Sequence, residues 1–142
     1  MAVTEPAITR PADKNPVSSA LTRTIIGVVD DDASILRAVQ RLLGASGFVV
    51  QTFGSGEELL DSEQLDRLHC LVLDVHLAGL SGFDVQERLI AERRLIPIIF
   101  ITAHDDAATR ERARGVAASQ YLRKPFDEQS LIAAIEVALT SS

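Results

Sequence analysis

From Thr24 onward, short apolar runs alternate with longer stretches in which apolar residues recur every three or four positions. Ile25-Ile26-Gly27-Val28-Val29 is a continuous apolar run that stops abruptly at Asp30, the pattern of a strand buried on both faces. Ile35, Leu36, Val39, Leu42 and Leu43 then fall at helical spacing, and the segment from Gly44 to Gly47 closes that helix. Phe48 to Thr52 reads as a second strand, followed by a short helix from Glu57 to Glu63 with Ser55 as its cap. Cys70 to Asp74 is a third strand, again apolar up to a terminal acid. Phe83 to Ala91 is helical, with Val85, Leu89 and Ile90 on one side. Pro97 opens a fourth strand, Ile98 to Thr102, and a polar helix over Ala107 to Arg114 stops at Gly115. Ser119 to Leu122 makes a fifth strand, and Gln129 to Leu139 a last helix, apolar at Leu131, Ile132, Ile135, Val137 and Leu139.

Five strands alternating with five helices predict an α/β fold whose parallel sheet is covered on both faces. Ligands of such sheets bind outside the carboxyl ends of the strands, so the residues at those ends carry the functional question. The first strand ends in Asp30-Asp31-Asp32, the third in Asp74 and the fourth in Thr102, while Lys124 follows the fifth. The second ends in Thr52-Phe53, which offers no chemistry of note.

Composition narrows the class. A chain of 142 residues suits one ordinary domain, and its 46% apolar but only 4% aromatic content fits helices and buried strands better than an aromatic sandwich. Three of the five prolines fall before residue 17, where no apolar periodicity exists. Residues 1–22 therefore read as a disordered tail ahead of a domain over residues 23–142. The formal net charge of −6 gives no general attraction to nucleic acid or to an anionic membrane. The single cysteine, Cys70, lies in an apolar run and reads as a buried, inert thiol. No apolar run is long enough to cross a bilayer, and the N-terminus lacks the pattern of a signal peptide, so the expected location is the cytoplasm.

Carboxylates gathered at one sheet edge repel one another unless a cation joins them. Oxygen ligands without a neighbouring thiol favour Mg²⁺, with Mn²⁺ as the alternative, over Zn²⁺. Mg²⁺ held by one or two carboxylates keeps room for a phosphoryl group on another acid. An amine such as Lys124 and a hydroxyl such as Thr102 suit the remaining oxygens of a pentavalent phosphorus. A carboxylate can itself be the nucleophile and form an acyl phosphate.

Four blocks carry a resemblance. Val28-Val29-Asp30-Asp31-Asp32, Leu73-Asp74-Val75-His76-Leu77 with Gly79 and Gly82, Ile101-Thr102-Ala103, and Lys124-Pro125-Phe126 resemble, in order and spacing, the signature blocks of response-regulator receiver domains. Their wording is closest to the FixJ-like class, and the similarity covers roughly residues 23 to 140. The resemblance implies a CheY-like, flavodoxin-type (βα)5 fold, a doubly wound five-stranded parallel sheet in strand order 2-1-3-4-5. It implies Asp74 as phosphoacceptor, with Asp31, Asp74 and the backbone carbonyl of His76 as Mg²⁺ ligands and Asp30 acting through a metal-bound water. Lys124 would contact the phosphoryl group, and Pro125 would follow a cis peptide bond. Thr102 would swing toward the phosphoryl group on activation and Tyr121 would rotate with it, changing the face made by the fourth helix, fifth strand and fifth helix. His76 and His104 lie two residues beyond Asp74 and Thr102, positions that in the family tune acyl-phosphate hydrolysis. The implied partners are a histidine kinase or histidine phosphotransfer protein and a downstream protein, with a phosphorylation-dependent homodimer compatible with the pattern.

Competing readings attach to the same residues. Asp30 to Asp32 could cap the first helix, the role that suits Asp32 best. Tyr121 could be a partly buried residue that never switches, and Arg110, Arg112 and Arg114, with Glu111 interleaved, read first as a solvated face. The turn reads Leu77-Ala78-Gly79 where the family commonly has proline before glycine, which predicts a looser loop and not a dead site. A Mg²⁺-dependent aspartyl phosphatase would place a second Asp two residues after the nucleophile, where this chain has His76. A phosphorylation-independent pseudo-receiver would not need the acidic pair, Thr102 and Lys124 together. Enzymatic turnover of an external substrate is therefore not expected. No recognition helix or effector follows the fifth helix, so no direct DNA contact is expected from this chain, whether it is a single-domain regulator, a relay intermediate or part of a longer protein.

Overall fold

The structure, a computed structural model, describes residues 24–104, 106–114 and 120–141. The tail expected over residues 1–22, the helix stop at Gly115 and the strand start at Ser119 lie outside the described residues. Five strands, β1 (Ile25–Val29), β2 (Val49–Phe53), β3 (Cys70–Asp74), β4 (Ile98–Thr102) and β5 (Gln120–Arg123), alternate with five α-helices. These are α1 (Ala33–Ala45), α2 (Gly56–Leu60), α3 (Gly82–Ala91), α4 (Ala107–Arg114) and α5 (Glu128–Ser141), with one 3₁₀ turn at Leu65–Arg67. Every pairing is parallel and the order is β2-β1-β3-β4-β5. The chain starts in the middle of the sheet, moves to the β2 edge, and then returns past β1 to β3. The connections leaving β1 and β3 diverge to opposite sides, which opens a crevice at their carboxyl ends.

Each strand residue serves one of two cores, because successive side chains point to opposite faces. Val29, Leu71, Leu73, Ile98 and Phe100 join Leu59, Phe83, Val85, Leu89 and Ala113, so α2, α3 and α4 cover one face. Ile26, Val28, Cys70, Val72, Ile99 and Ile101 join Val39, Leu43, Leu131, Ala134 and Ile135, so α1 and α5 cover the other. Burial pushes the Cys70 thiol up to about 12, which leaves it protonated and unreactive at neutral pH.

Several element boundaries and faces differ from the sequence expectation. β2 runs one residue later than expected, at Val49–Phe53, because β1 pairs with it from Ile25↔Val49 to Val29↔Phe53. α2 stops at Leu60 and not at Glu63. There the Ser62 amide turns back to the Leu59 carbonyl, and the chain enters the 3₁₀ turn that drives Leu65 into the core. Ile90 does not share the buried face of α3 with Val85 and Leu89; it is 53% exposed, one residue beyond the seam. Val137 is likewise 52% exposed, while the buried seam of α5 is Leu131, Ala134, Ile135 and Ala138. Both errors arise because apolar character alone does not say which side of a helix meets the sheet.

Candidate functional site

The three aspartates that end β1 separate into three environments. Asp30 is completely buried; its Oδ2 accepts from the Lys124 ammonium at 2.7 Å and its Oδ1 from the Asp32 amide at 2.9 Å. Asp31 is exposed, and its Oδ2 accepts from the Ala78 amide at 3.2 Å across the crevice. Asp32 caps α1, accepting from the Ser34 hydroxyl at 2.6 Å and the Ser34 amide at 2.9 Å. Those bonds to Ser34 hold the Asp32 carboxyl below its ordinary range. Only Asp32 behaves as a plain helix cap.

Asp74 ends β3 nearly buried, with Oδ1 accepting from the His76 amide at 3.2 Å and Oδ2 lying 3.5 Å from Lys124 Nζ. Burial, reinforced by the neighbouring Asp30 charge, raises its carboxyl above the ordinary carboxylate value. Lys124 is anchored by its own amide, which donates to the Thr102 carbonyl at 2.7 Å, and the Lys124–Pro125 peptide is cis. Burial by itself would lower the Lys124 ammonium, but the Asp30 bond and the Asp74 charge outweigh it and the net shift is upward. Lys124 therefore stays a cation between the two buried acids.

Thr102 is fully buried at the end of β4, its hydroxyl oxygen accepting from the His104 amide at 2.9 Å. The rings of His76 and His104, both exposed, meet edge to face with centroids 4.9 Å apart over the mouth of the crevice. Tyr121, half-buried on β5 opposite Phe100, packs against the core under α3 and α4 and not in the acidic pocket. Two glycines let the β3–α3 segment close over the site. Gly79 adopts φ +78°, and a methyl group on Gly82 would come within 2.5 Å of the Asp74 carbonyl oxygen. The start of α3 is fixed by a capping box in which Ser81 and Asp84 exchange side-chain-to-backbone bonds.

One oxygen each from Asp30, Asp31 and Asp74 can be found within 4.8 Å of the others. Among the described residues, three carboxylates gather at one ammonium, which touches two of them, so this group carries excess negative charge. The donors are all hard oxygens, and burial first, with the Asp30 charge after it, already raises Asp74. Such a set fits a hard divalent cation of the Mg²⁺ type.

Comparison with known proteins agrees with this geometry. The profile of the response regulator receiver domain matches residues 26–136. The chain belongs to the response-regulator receiver family. Nodulation protein W of Bradyrhizobium diazoefficiens is 44% identical over 121 residues, covering 85% of this chain and 53% of that protein. The transcriptional regulatory protein FixJ of the same organism is 34% identical over 118 residues, covering 83% of this chain and 58% of that protein. Among solved structures, a response regulator receiver protein from Burkholderia phymatum superposes with a TM-score of 0.72 at 43% identity, covering 83% of this chain and 96% of that one. The chain spans about half the length of the curated relatives it matches, 53% and 51% for the first two.

Receiver domains bind Mg²⁺ at an acidic pocket and work as signalling domains between histidine kinases and downstream effectors; they are typically not enzymes. In this receiver, Asp30, Asp31, Asp74, Thr102 and Lys124 stand at one end of the sheet, and Tyr121 packs against the core from β5. The receiver also holds contacts that sequence reading did not find. Arg112 is not simply solvated: it reaches Glu87 at 3.1 Å and lies 4.7 Å over the Phe83 ring, tying α4 to α3. In the segment after Asp74, where Ala78 predicts a looser loop, the Ala78 amide bonds Asp31 and the Leu80 amide bonds Glu57, each at 3.2 Å. Nothing in the order of residues marks Glu57, which sits on a different helix. Where the family's proline would have no amide, Ala78 supplies a donor to Asp31.

Proposed function

We propose that this receiver is a phosphorylation-operated switch in which Asp74 accepts a phosphoryl group from a phosphohistidine in a Mg²⁺-dependent reaction. The observation that carries the reading is the convergence of two buried acids, one exposed acid, a lysine and a threonine from four separate strand ends at one crevice. Asp31, Asp74 and the His76 carbonyl would hold the cation, with Asp30 acting through a water. When bound, the ion supplies charge neutralisation for the transferring phosphoryl oxygens. An Asp74 carboxylate oxygen attacks phosphorus, the phosphorus–nitrogen bond to the donor ring breaks with its electron pair going to nitrogen, and a phosphohistidine protonated on its other ring nitrogen leaves as neutral imidazole.

Lys124 stands within 3.5 Å of Asp74 Oδ2 and moves from neutralising Asp30 to binding a phosphoryl oxygen. Thr102 already accepts from the His104 amide, so its own hydroxyl proton can be donated to another phosphoryl oxygen. A shift of Thr102 toward the phosphoryl group empties volume beneath α4, which Tyr121 fills by turning inward, and the α4–β5–α5 face changes shape. The paired rings of His76 and His104 then set how readily water reaches the acyl phosphate. A net charge of −6 favours protein partners over direct DNA contacts for this receiver.

Intact mass spectrometry after incubation with acetyl phosphate and Mg²⁺ tests the proposal. The expected result is a single phosphoryl adduct that requires Mg²⁺ and is absent from Asp74→Ala. A wild-type protein that stays unmodified, and whose NMR spectrum does not respond to beryllofluoride, would sink it.

A further inference from the structure

The segment from Val75 to Ser81 is pinned at both ends, by the Val75 amide on the Ile101 carbonyl at 2.9 Å and the Gly82 amide on the Val75 carbonyl at 2.8 Å. Between these pins, four amides donate to carboxylates, the last of them Ser81 to Asp84 in the cap of α3. His76 donates to Asp74 at 3.2 Å, Ala78 to Asp31 at 3.2 Å and Leu80 to Glu57 at 3.2 Å. Asp74 and Asp31 are the two acids the phosphoryl site itself needs. Glu57 lies outside the acid cluster of Asp30, Asp31 and Asp74, so its bond to Leu80 is the one of these three that does not involve an acid of that site. Its carboxylate also lies directly against the turn: a methyl group on Gly79 would come within 2.6 Å of Glu57 Oε2. The helix that carries it is seated on the same segment, since a methyl group on Gly56 would lie 3.5 Å from Leu80 Cβ.

We propose that Glu57 is a positioning residue of the phosphoryl site, holding the β3–α3 segment, and with it the His76 carbonyl, in the register that cation binding requires. This rests on the Mg²⁺-dependent reading above. Its physical basis is the residue at position 78. A proline there has a fixed φ and no amide to donate, so the backbone stiffens itself. Alanine has neither property, and the stiffness must come from outside the segment. Glu57 supplies it from α2, 23 residues before Leu80 and one strand earlier in the chain.

The test compares wild type, Glu57→Ala, Glu57→Gln, Ala78→Pro and the Glu57→Ala/Ala78→Pro double variant. Two quantities are read: exchange of the Leu80 amide in metal-free protein, and Mg²⁺ affinity by calorimetry. Loss of one hydrogen bond predicts exchange at Leu80 faster by roughly three- to tenfold in Glu57→Ala, with Mg²⁺ bound more weakly by a similar factor. Glu57→Gln keeps an acceptor without the charge, so both values stay near wild type. Ala78→Pro restores Mg²⁺ affinity in the Glu57→Ala background. Equal weakening in Glu57→Gln and Glu57→Ala, without rescue by Ala78→Pro, would mean that only the negative charge matters and would overturn the proposal. Unchanged Leu80 exchange in Glu57→Ala would overturn it as well. A wild-type protein that binds no Mg²⁺ refutes the phosphorylation reading instead, and the exchange result then decides alone whether Glu57 holds the segment.

Discussion

Two sets of aspartates occupy the same end of the sheet in different surroundings. Asp32, Asp84, Asp106 and Asp127 sit at helix starts, where each accepts from a backbone amide within its own turn. Hydrogen bonds from Ser34, Ser81, Thr109 and Ser130 respectively hold their carboxyls below the ordinary value of 3.8. Asp30 and Asp74 are buried beside each other with Lys124 as their shared cation. Asp74 is pushed upward by burial and by Asp30. The difference teaches that an acid after a strand is stabilised when the helix start supplies its donors, and is left poised for a cation when the fold supplies a second acid.

The comparison can be broken first at Lys124. Lys124→Ala strands the fully buried Asp30 without its counter-charge, and should cost about 3 kcal/mol in urea unfolding of the metal-free protein. Mg²⁺ should return part of that loss, and a cost near zero would show that Asp30 does not depend on Lys124. A cap is worth less. Asp127→Ala removes the acceptor for the Ser130 amide at 2.6 Å and should lower stability by less than Lys124→Ala does, with no dependence on Mg²⁺.

Asp74→Asn should go the other way. Removing a buried charge that faces Asp30 should stabilise the metal-free protein, on the order of 1 kcal/mol or about 3 °C in Tm at pH 7. The pH profile separates the two sets. A raised Asp74 costs nothing below 3.8, and its penalty grows as pH rises from 3.8 through its folded value. The capping acids act oppositely: their contribution is present above 3.8 and is lost as pH falls below it. The advantage of Asp74→Asn should therefore shrink as pH is lowered toward 3.8, in metal-free thermal scans. An advantage that does not change with pH would remove the charge explanation.

Much of the fold was legible because apolar runs ending in chemistry-bearing residues mark strands of a parallel sheet. β1, β3 and β4 have the limits expected from Ile25–Val29, Cys70–Asp74 and Ile98–Thr102. Legibility failed where partner surfaces decide. Ile90 and Val137 are as apolar as their buried neighbours, and only the position of the sheet assigns them to solvent. At the site, Asp30, Asp31, Asp74, Thr102 and Lys124 could be singled out because each stands at a strand end. Glu57 could not, since its relation to the Leu80 amide exists only once α2 packs beside the β3–α3 segment.

The sequence by itself determined the alternation of elements, the burial of the strands and the set of residues at their carboxyl ends, because these depend on local periodicity and residue chemistry. The tertiary structure alone decided how those residues divide their work. Asp30, Asp31 and Asp32 are consecutive in the chain, yet one is paired with a lysine, one bonds an amide across a crevice and one caps a helix. Burial, the distance to a second charge and the supply of donors are properties of the packed molecule, and they set the chemistry of otherwise identical side chains.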